Sequence, residues 1–410
     1  MSRAEGAAVA ATLASPTGTL PARGQGLPAT LAGESGIAWE EGLLTYVGPI
    51  DGLPQAPTVG DPRRGCIVPG FVDCHVHLPF AGWRADEFET RLKGVSYRDL
   101  HGEEGGIFRS ARQLAIASDD AVMDFCLPLV AEMAAHGTTT LELKTGYGLG
   151  VEQELRQARL ARRLSDEVQQ TCTVTLLACH AVPNGVTKAD WVRAACSELI
   201  PAAAAEGLAD AVDIYVEDIA FSLEDLSAVA EAAALAGLPL RVHADQLGST
   251  RATEAAVALG ARSADHLNHC SGAGVAALGA AAATAAVLLP ASTFFLRAGA
   301  PPMEELRTAG AAIAIATDFN PGTSPVLSMP EAIAMACTIY GIEPMAALTA
   351  ATANPAWVLG LDGRLGTLEV GKRADFLLLE EPGFAQVPYR PGHNPVTTAY
   401  IAGEPITMSA

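Results

Sequence analysis

The run Cys66–Leu78 (CIVPGFVDCHVHL) is short, apolar and β-branched, and it closes on two histidines one residue apart, His75 and His77. A buried strand that ends in polar residues has this pattern. Seven more runs of the same kind follow it: Thr138–Lys144, Val174–His180, Val212–Glu217, Leu238–His243, Ala261–His266, Ala285–Leu289 and Ala311–Asp318. Between them lie amphipathic Ala/Leu/Glu/Arg-rich stretches such as Val151–Glu167 and Ser222–Gly237, which read as helices with Gly or Pro at their ends. Eight strand–helix units over residues 66–360 predict an α/β chain folded as a (β/α)8 barrel. A doubly wound sheet is the alternative, but the strands run to eight and no G-x-G-x-x-G follows the first. Residues 1–65 and 361–410 carry Gly/Pro turns and short apolar runs, Gly42–Val47 and Ala374–Leu379 among them. They are predicted to form one small β-sandwich-like domain from the two termini.

Composition narrows the partners. Of the 410 residues 50% are hydrophobic and 18% charged, which fits a folded globular protein and excludes a disordered one. Lys and Arg number 26 against 46 Asp and Glu, a net charge of -20, so a nucleic-acid or anionic-membrane partner is not expected. A small anionic ligand would need a local cation. The eight cysteines contain no C-x-x-C pair, which suggests neither a zinc ribbon nor a disulfide framework and points to the cytoplasm. No stretch is long and apolar enough for a signal peptide or a membrane span.

The chemistry-bearing residues gather at the ends of the predicted strands, where a barrel enzyme keeps its site. Strand alternation puts His75 and His77 on one face. Strand five ends in His243-Ala244-Asp245 and strand eight in Thr317-Asp318-Phe319-Asn320. Three imidazoles and a carboxylate suit one Zn²⁺, with iron an alternative. His180 and His266 also end strands, three and six, and their surroundings suggest acid/base or substrate roles.

Ile67–His77 resembles the signature of the amidohydrolase superfamily, metal hydrolases built on a (β/α)8 barrel with a small flanking β domain. Within it, Pro79–Tyr97 (PFAGWRADEFETRLKGVSY), Glu142–Gly150 (ELKTGYGLG), His243–Leu247 (HADQL), Ser263–Leu267 (SADHL) and Ala316–Pro325 (ATDFNPGTSP) resemble the imidazolonepropionases of histidine degradation. The resemblance implies a homodimeric enzyme acting on a small molecule, opening the lactam C–N bond of 4-imidazolone-5-propanoate to give N-formimidoyl-L-glutamate. It implies a single metal held by His75, His77, His243 and Asp318, and a substrate pocket lined by Arg84, Tyr97, Tyr147, His180, His266, Asn320, Gly322 and Thr323.

Physical chemistry assigns some of these roles further. A guanidinium holds a carboxylate in two parallel hydrogen bonds, so Arg84 is the candidate for the propionate. Glycines flank Tyr147 and let the backbone approach a ligand. Gln246 stands where some family members carry Glu, and an amide orients water or ring nitrogens without acting as a base. Proton transfer then falls to Asp318 or His266, a choice the sequence leaves open. Lys144 would suit a carbamylated bridge between two metals, but the single-metal resemblance makes it a structural ion-pair residue. The rival readings are a different amidohydrolase, such as a cyclic-amide hydrolase or nucleobase deaminase, and a catalytically inactive barrel that binds a metabolite.

Overall fold

The computed structural model describes residues 4–24, 28–31, 33–95 and 105–406. Eight parallel strands lie side by side in chain order: β1 (Phe71–Val76), β2 (Thr138–Lys144), β3 (Thr171–Cys179), β4 (Ala211–Val216), β5 (Leu240–Ala244), β6 (Ser263–His266), β7 (Ala285–Leu288) and β8 (Ile313–Ile315). The seam between β8 and β1 is closed just beyond the last strand. The His77 N–H donates to the Phe319 carbonyl at 2.9 Å. The Asp73 carboxylate accepts the Thr317 N–H at 3.1 Å and its O–H at 2.6 Å. The predicted barrel is therefore the observed one.

Outward-facing strand residues pack against the surrounding helices. Ile214, Val216 and Val242 share a core with Leu226 and Val229 of the helix Leu223–Leu235. That helix starts where the sequence signals it, at Ser222, whose side chain and that of Asp225 form a reciprocal capping box. The helix Val151–Glu167 buries Leu155, Ala158, Ala161 and Leu164, an i, i+3, i+6, i+9 stripe that leaves its arginines outside.

The run Cys66–Leu78, read as one strand, divides at Gly70. Cys66–Pro69 pairs antiparallel with Phe376–Leu379 in a six-stranded flanking sheet, whereas Phe71–Val76 enters the barrel beside β2. The run is apolar on both sides of the junction, and Pro69-Gly70 is the one mark the sequence carries of the change of sheet. A second, four-stranded sheet contains Gly6–Ala10, Ser35–Glu40, Leu43–Pro49 and Thr58–Gly60. The two sheets share one core, in which Ile37 and Trp39 meet Ile67, Phe376 and Tyr400. Both termini thus build the flank. Among the described residues no helix is long and apolar enough to cross a membrane.

Candidate active site

Inward-facing positions of the barrel carry ionisable residues, and their upper layer holds the histidines. His75 Nε2 and His77 Nε2 lie 3.2 Å apart, and His243 Nε2 is 3.4 Å from His77 Nε2. Asp318 Oδ1 approaches His77 Nε2 at 3.3 Å and His75 Nε2 at 3.6 Å. These residues are buried. From the other side, His75 Nδ1 meets Asp265 Oδ2 at 2.6 Å and His243 Nδ1 lies 3.0 Å from Asp213 Oδ2. An imidazole that donates through Nδ1 presents a lone pair at Nε2. The lone pair of His75 so held, the His243 Nε2 and a carboxylate oxygen therefore converge on one point, where a single His77 proton cannot satisfy them all. A cation satisfies them, and the donor set is the one that binds zinc or iron.

Electrostatics favour the metal-binding protonation state of His75 and His77. Burial holds the His75 and His77 imidazoles well below their usual range, and so neutral. It also pushes His266 down to about 3. The Asp318 carboxyl is raised above the ordinary range by burial, with the nearby His266 and His243 pulling it back.

His266 and Asp318 enter the site by leaving ordinary strand geometry. Asp265 points into the barrel toward His75, so plain alternation would turn His266 outward. At φ 79° His266 adopts a left-handed backbone, and it too lines the cavity. Asp318 does the same at φ 56°. Non-glycine residues held in this region cost of order 1–3 kcal/mol each and gather at functional sites.

Above this cluster the cavity is walled by Arg84, Ile107, Tyr147, His180, Tyr215, Gln246, Asn320 and Thr323, together with His77, His243, His266 and Asp318. Arg84 precedes the helix Ala85–Leu92 and is 3% exposed. Its Nε and Nη1 have no hydrogen-bond partner among the described residues, and the Glu87 carboxylate stands off at 3.8 Å. The guanidinium lies over Gly322, where a Cβ would fall 1.6 Å from Nη2.

Tyr147 is set by two residues of the helix Val151–Glu167. The Glu154 carboxylate accepts the N–H groups of Gly146, Gly148 and Leu149 at 2.8–3.0 Å. Gln157 accepts the Tyr147 N–H and donates to the Pro79 carbonyl, both at 2.9 Å, which ties the loops after β1 and β2 together. Gly146 has φ 109°, and a Cβ there would meet His180 Nδ1 at 2.7 Å. His180 Nδ1 lies 2.9 Å from the Gly146 carbonyl, and its ring stacks on His77. The Asn320 side chain is committed to its own turn, accepting from Gly322 N–H, Thr323 N–H and Thr323 O–H at 2.7–3.0 Å and donating to the Asp318 carbonyl at 2.6 Å.

The expected site residues thus line one cavity except His75, which lies against His77, Gly322, which lies against Arg84, and Tyr97, which lies outside the described residues. The structure adds Tyr215 and Ile107 to the wall. Tyr215 sits two residues beyond Asp213 on an inward row of β4, and that period-two spacing was available in the sequence. Ile107 lies on the helix Gly106–Ile116, away from the strand ends.

Comparison with known proteins is consistent with this geometry. The amidohydrolase family model matches residues 66–405. The imidazolonepropionase of Xanthomonas campestris pv. campestris strain 8004 is 41% identical over 372 residues, covering 90% of this chain and 92% of its own length. That of Rubrobacter xylanophilus is 42% identical over 398 residues, 95% of each chain. Among solved structures, an adenosine deaminase from Xanthomonas campestris with bound zinc superposes with TM-score 0.69 at 18% identity, covering 98% of this chain and 93% of that one. Escherichia coli guanine deaminase gives 0.73 at 15%, covering 97% and 98%. Identities this low show a shared fold alone.

Proposed function

Because the chain belongs to the amidohydrolase family and, within it, to the imidazolonepropionases, we propose that it hydrolyses the lactam C–N bond of 4-imidazolone-5-propanoate to N-formimidoyl-L-glutamate. The observation that carries the reading is Arg84, a buried guanidinium with unpartnered N–H groups lining the same cavity as the histidine cluster. A desolvated guanidinium whose one ion pair, with Glu87, spans 3.8 Å and whose Nε and Nη1 make no hydrogen bond among the described residues is suited to meet an anion there.

His75, His77, His243 and Asp318 are the residues we assign to one zinc or iron ion. Bound there, such an ion supplies a Lewis acid and lowers the pKa of water toward ~7. Arg84 takes the propionate bidentately and so fixes which ring carbon faces the cluster. Asp318, as carboxylate, accepts the proton of the attacking water. The water oxygen bonds to the lactam carbonyl carbon, the C–N bond breaks, and Asp318 returns the proton to the departing nitrogen. Neutral His266 donates an N–H to the carbonyl oxygen as it gains charge. Gln246 orients water or a ring nitrogen, while Tyr147, His180, Asn320, Gly322 and Thr323 shape the wall. Tyr97 belongs to the same assignment through family resemblance. We place the work in the cytoplasm, a reading that eight unbridged thiols support.

Purified protein mixed with enzymatically generated imidazolone propionate should remove the substrate's ultraviolet absorbance, and elemental analysis should return one zinc or iron per chain. A stable absorbance with metal bound, or deamination of neutral nucleobases in its place, overturns the substrate. Two metals per chain overturns the site.

A further inference from the structure

Beneath the imidazoles the barrel interior is filled by charge. Lys144, the last residue of β2, is fully buried. Its Nζ lies 2.7 Å from Asp213 Oδ2, 3.0 Å from Glu142 Oε1 and 3.8 Å from Asp265 Oδ2. Arg241 Nη1 meets the same Glu142 oxygen at 2.7 Å. Across Glu142, Lys144, Asp213, Arg241 and Asp265, three carboxylates face two cations, an imbalance that favours a further cation above them.

One detail of this layer bears on the metal. The oxygen of Asp213 that meets Lys144 is the one 3.0 Å from His243 Nδ1. The oxygen of Asp265 nearest Lys144 is the one 2.6 Å from His75 Nδ1. Two imidazoles from opposite sides of the site therefore hang, through one carboxylate each, on a single ammonium.

We propose that Lys144 is a positioning residue for the metal site: it anchors the Asp213 and Asp265 carboxylates, which in turn orient His243 and His75 so that both Nε2 atoms face the ion. The inference rests on the metal site proposed above. A carboxylate behind a ligating imidazole fixes ring orientation and raises ligand basicity, and its loss typically costs about 10- to 100-fold in metal affinity. Without the ammonium, two carboxylates share a water-poor interior with one fewer counter-charge. They turn or take up water, and the rings they hold lose their aim.

The test uses the full chain loaded with Co²⁺, titrated against a chromophoric chelator, with the visible d–d absorption recorded. Lys144→Met should bind Co²⁺ at least tenfold more weakly, with a changed d–d band, while circular dichroism stays that of the parent. Asp265→Asn keeps the ammonium but alters the link to His75, and should weaken binding similarly. A Lys144→Met protein with parental affinity and spectrum overturns the proposal. Where Lys144→Met does not fold, an Asp265→Asn protein that binds Co²⁺ as the parent does overturns it equally. A parent chain that binds no Co²⁺ refutes the metal site itself, a distinguishable result.

Discussion

Arg84 and Lys144 are both buried cations in one barrel, and they are buried differently. Lys144 has carboxylate oxygens at 2.7 and 3.0 Å, whereas the ion pair of Arg84 with Glu87 spans 3.8 Å and leaves Nε and Nη1 without hydrogen-bond partners. A buried charge is costly unless paired, so the pairing of Lys144 is complete within the fold while that of Arg84 is left open. The layer under the histidine cluster supplies its own counter-charges, and the rim above it holds the guanidinium we assign to the substrate carboxylate. Substitutions should separate the two.

The largest effect is expected between these regions, at Asp318. Its Oδ1 faces the imidazoles, while Oδ2 is buried without a hydrogen-bond partner among the described residues. Asp318→Asn keeps a coordinating oxygen and removes the proton acceptor. Turnover should fall by about 10²- to 10⁴-fold, the range for losing a general base, with circular dichroism unchanged. A folded Asp318→Asn protein with more than a tenth of parental kcat moves proton transfer to His266.

Arg84 comes next. Removing one partner of a desolvated ion pair costs ~2–4 kcal/mol, so Arg84→Ala should lower kcat/KM by about 30- to 1,000-fold. Arg84→Lys should recover part of that loss, since an ammonium keeps charge without the bidentate fork. Melting temperature gives the contrast with Lys144. Deleting a buried cation that is only loosely paired should leave it level or higher, whereas Lys144→Met, which strands two carboxylates, should lower it. An Arg84→Ala protein that is destabilised as much as Lys144→Met would erase the distinction between rim and interior.

The same contrast explains what could be read from the sequence. His75, His77, His243 and Asp318 were legible because a barrel places chemistry at strand ends and each of these ends a run. Tyr147 was legible through its glycines. The layer below was harder to read, although Glu142, Lys144, Asp213, Arg241 and Asp265 all interrupt apolar strands at inward positions. Singly, each suggests only a charge that must find a partner. Which charge meets which depends on register between strands far apart in the chain, and no periodicity encodes that. The division of Cys66–Leu78 at Gly70 is marked only by Pro69-Gly70, since the run is apolar on both sides and it is long-range pairing with Phe376–Leu379 that separates the halves.

The smallest effect sharpens the argument most, because it moves the Arg84 charge without removing it. A Cβ at residue 322 would sit 1.6 Å from Arg84 Nη2 and 2.1 Å from Cζ, so Gly322→Ala forces the guanidinium off its place while every charge stays. Residue 322 is not among the glycines with positive φ, so alanine fits the backbone and the turn built by Asn320 survives. If Arg84 acts as a diffuse positive field, a shift of an ångström or two changes little, because Coulomb energy varies slowly with distance. If it acts as a fork that aims the propionate, the misplacement should cost about tenfold in kcat/KM, smaller than deletion, with KM carrying most of it. Steady-state kinetics on Gly322→Ala and Arg84→Ala made side by side decide between these. Parental kcat/KM in Gly322→Ala would reduce Arg84 to an attractor of anions, and a loss equal to that of Arg84→Ala would mean that the guanidinium has one working position.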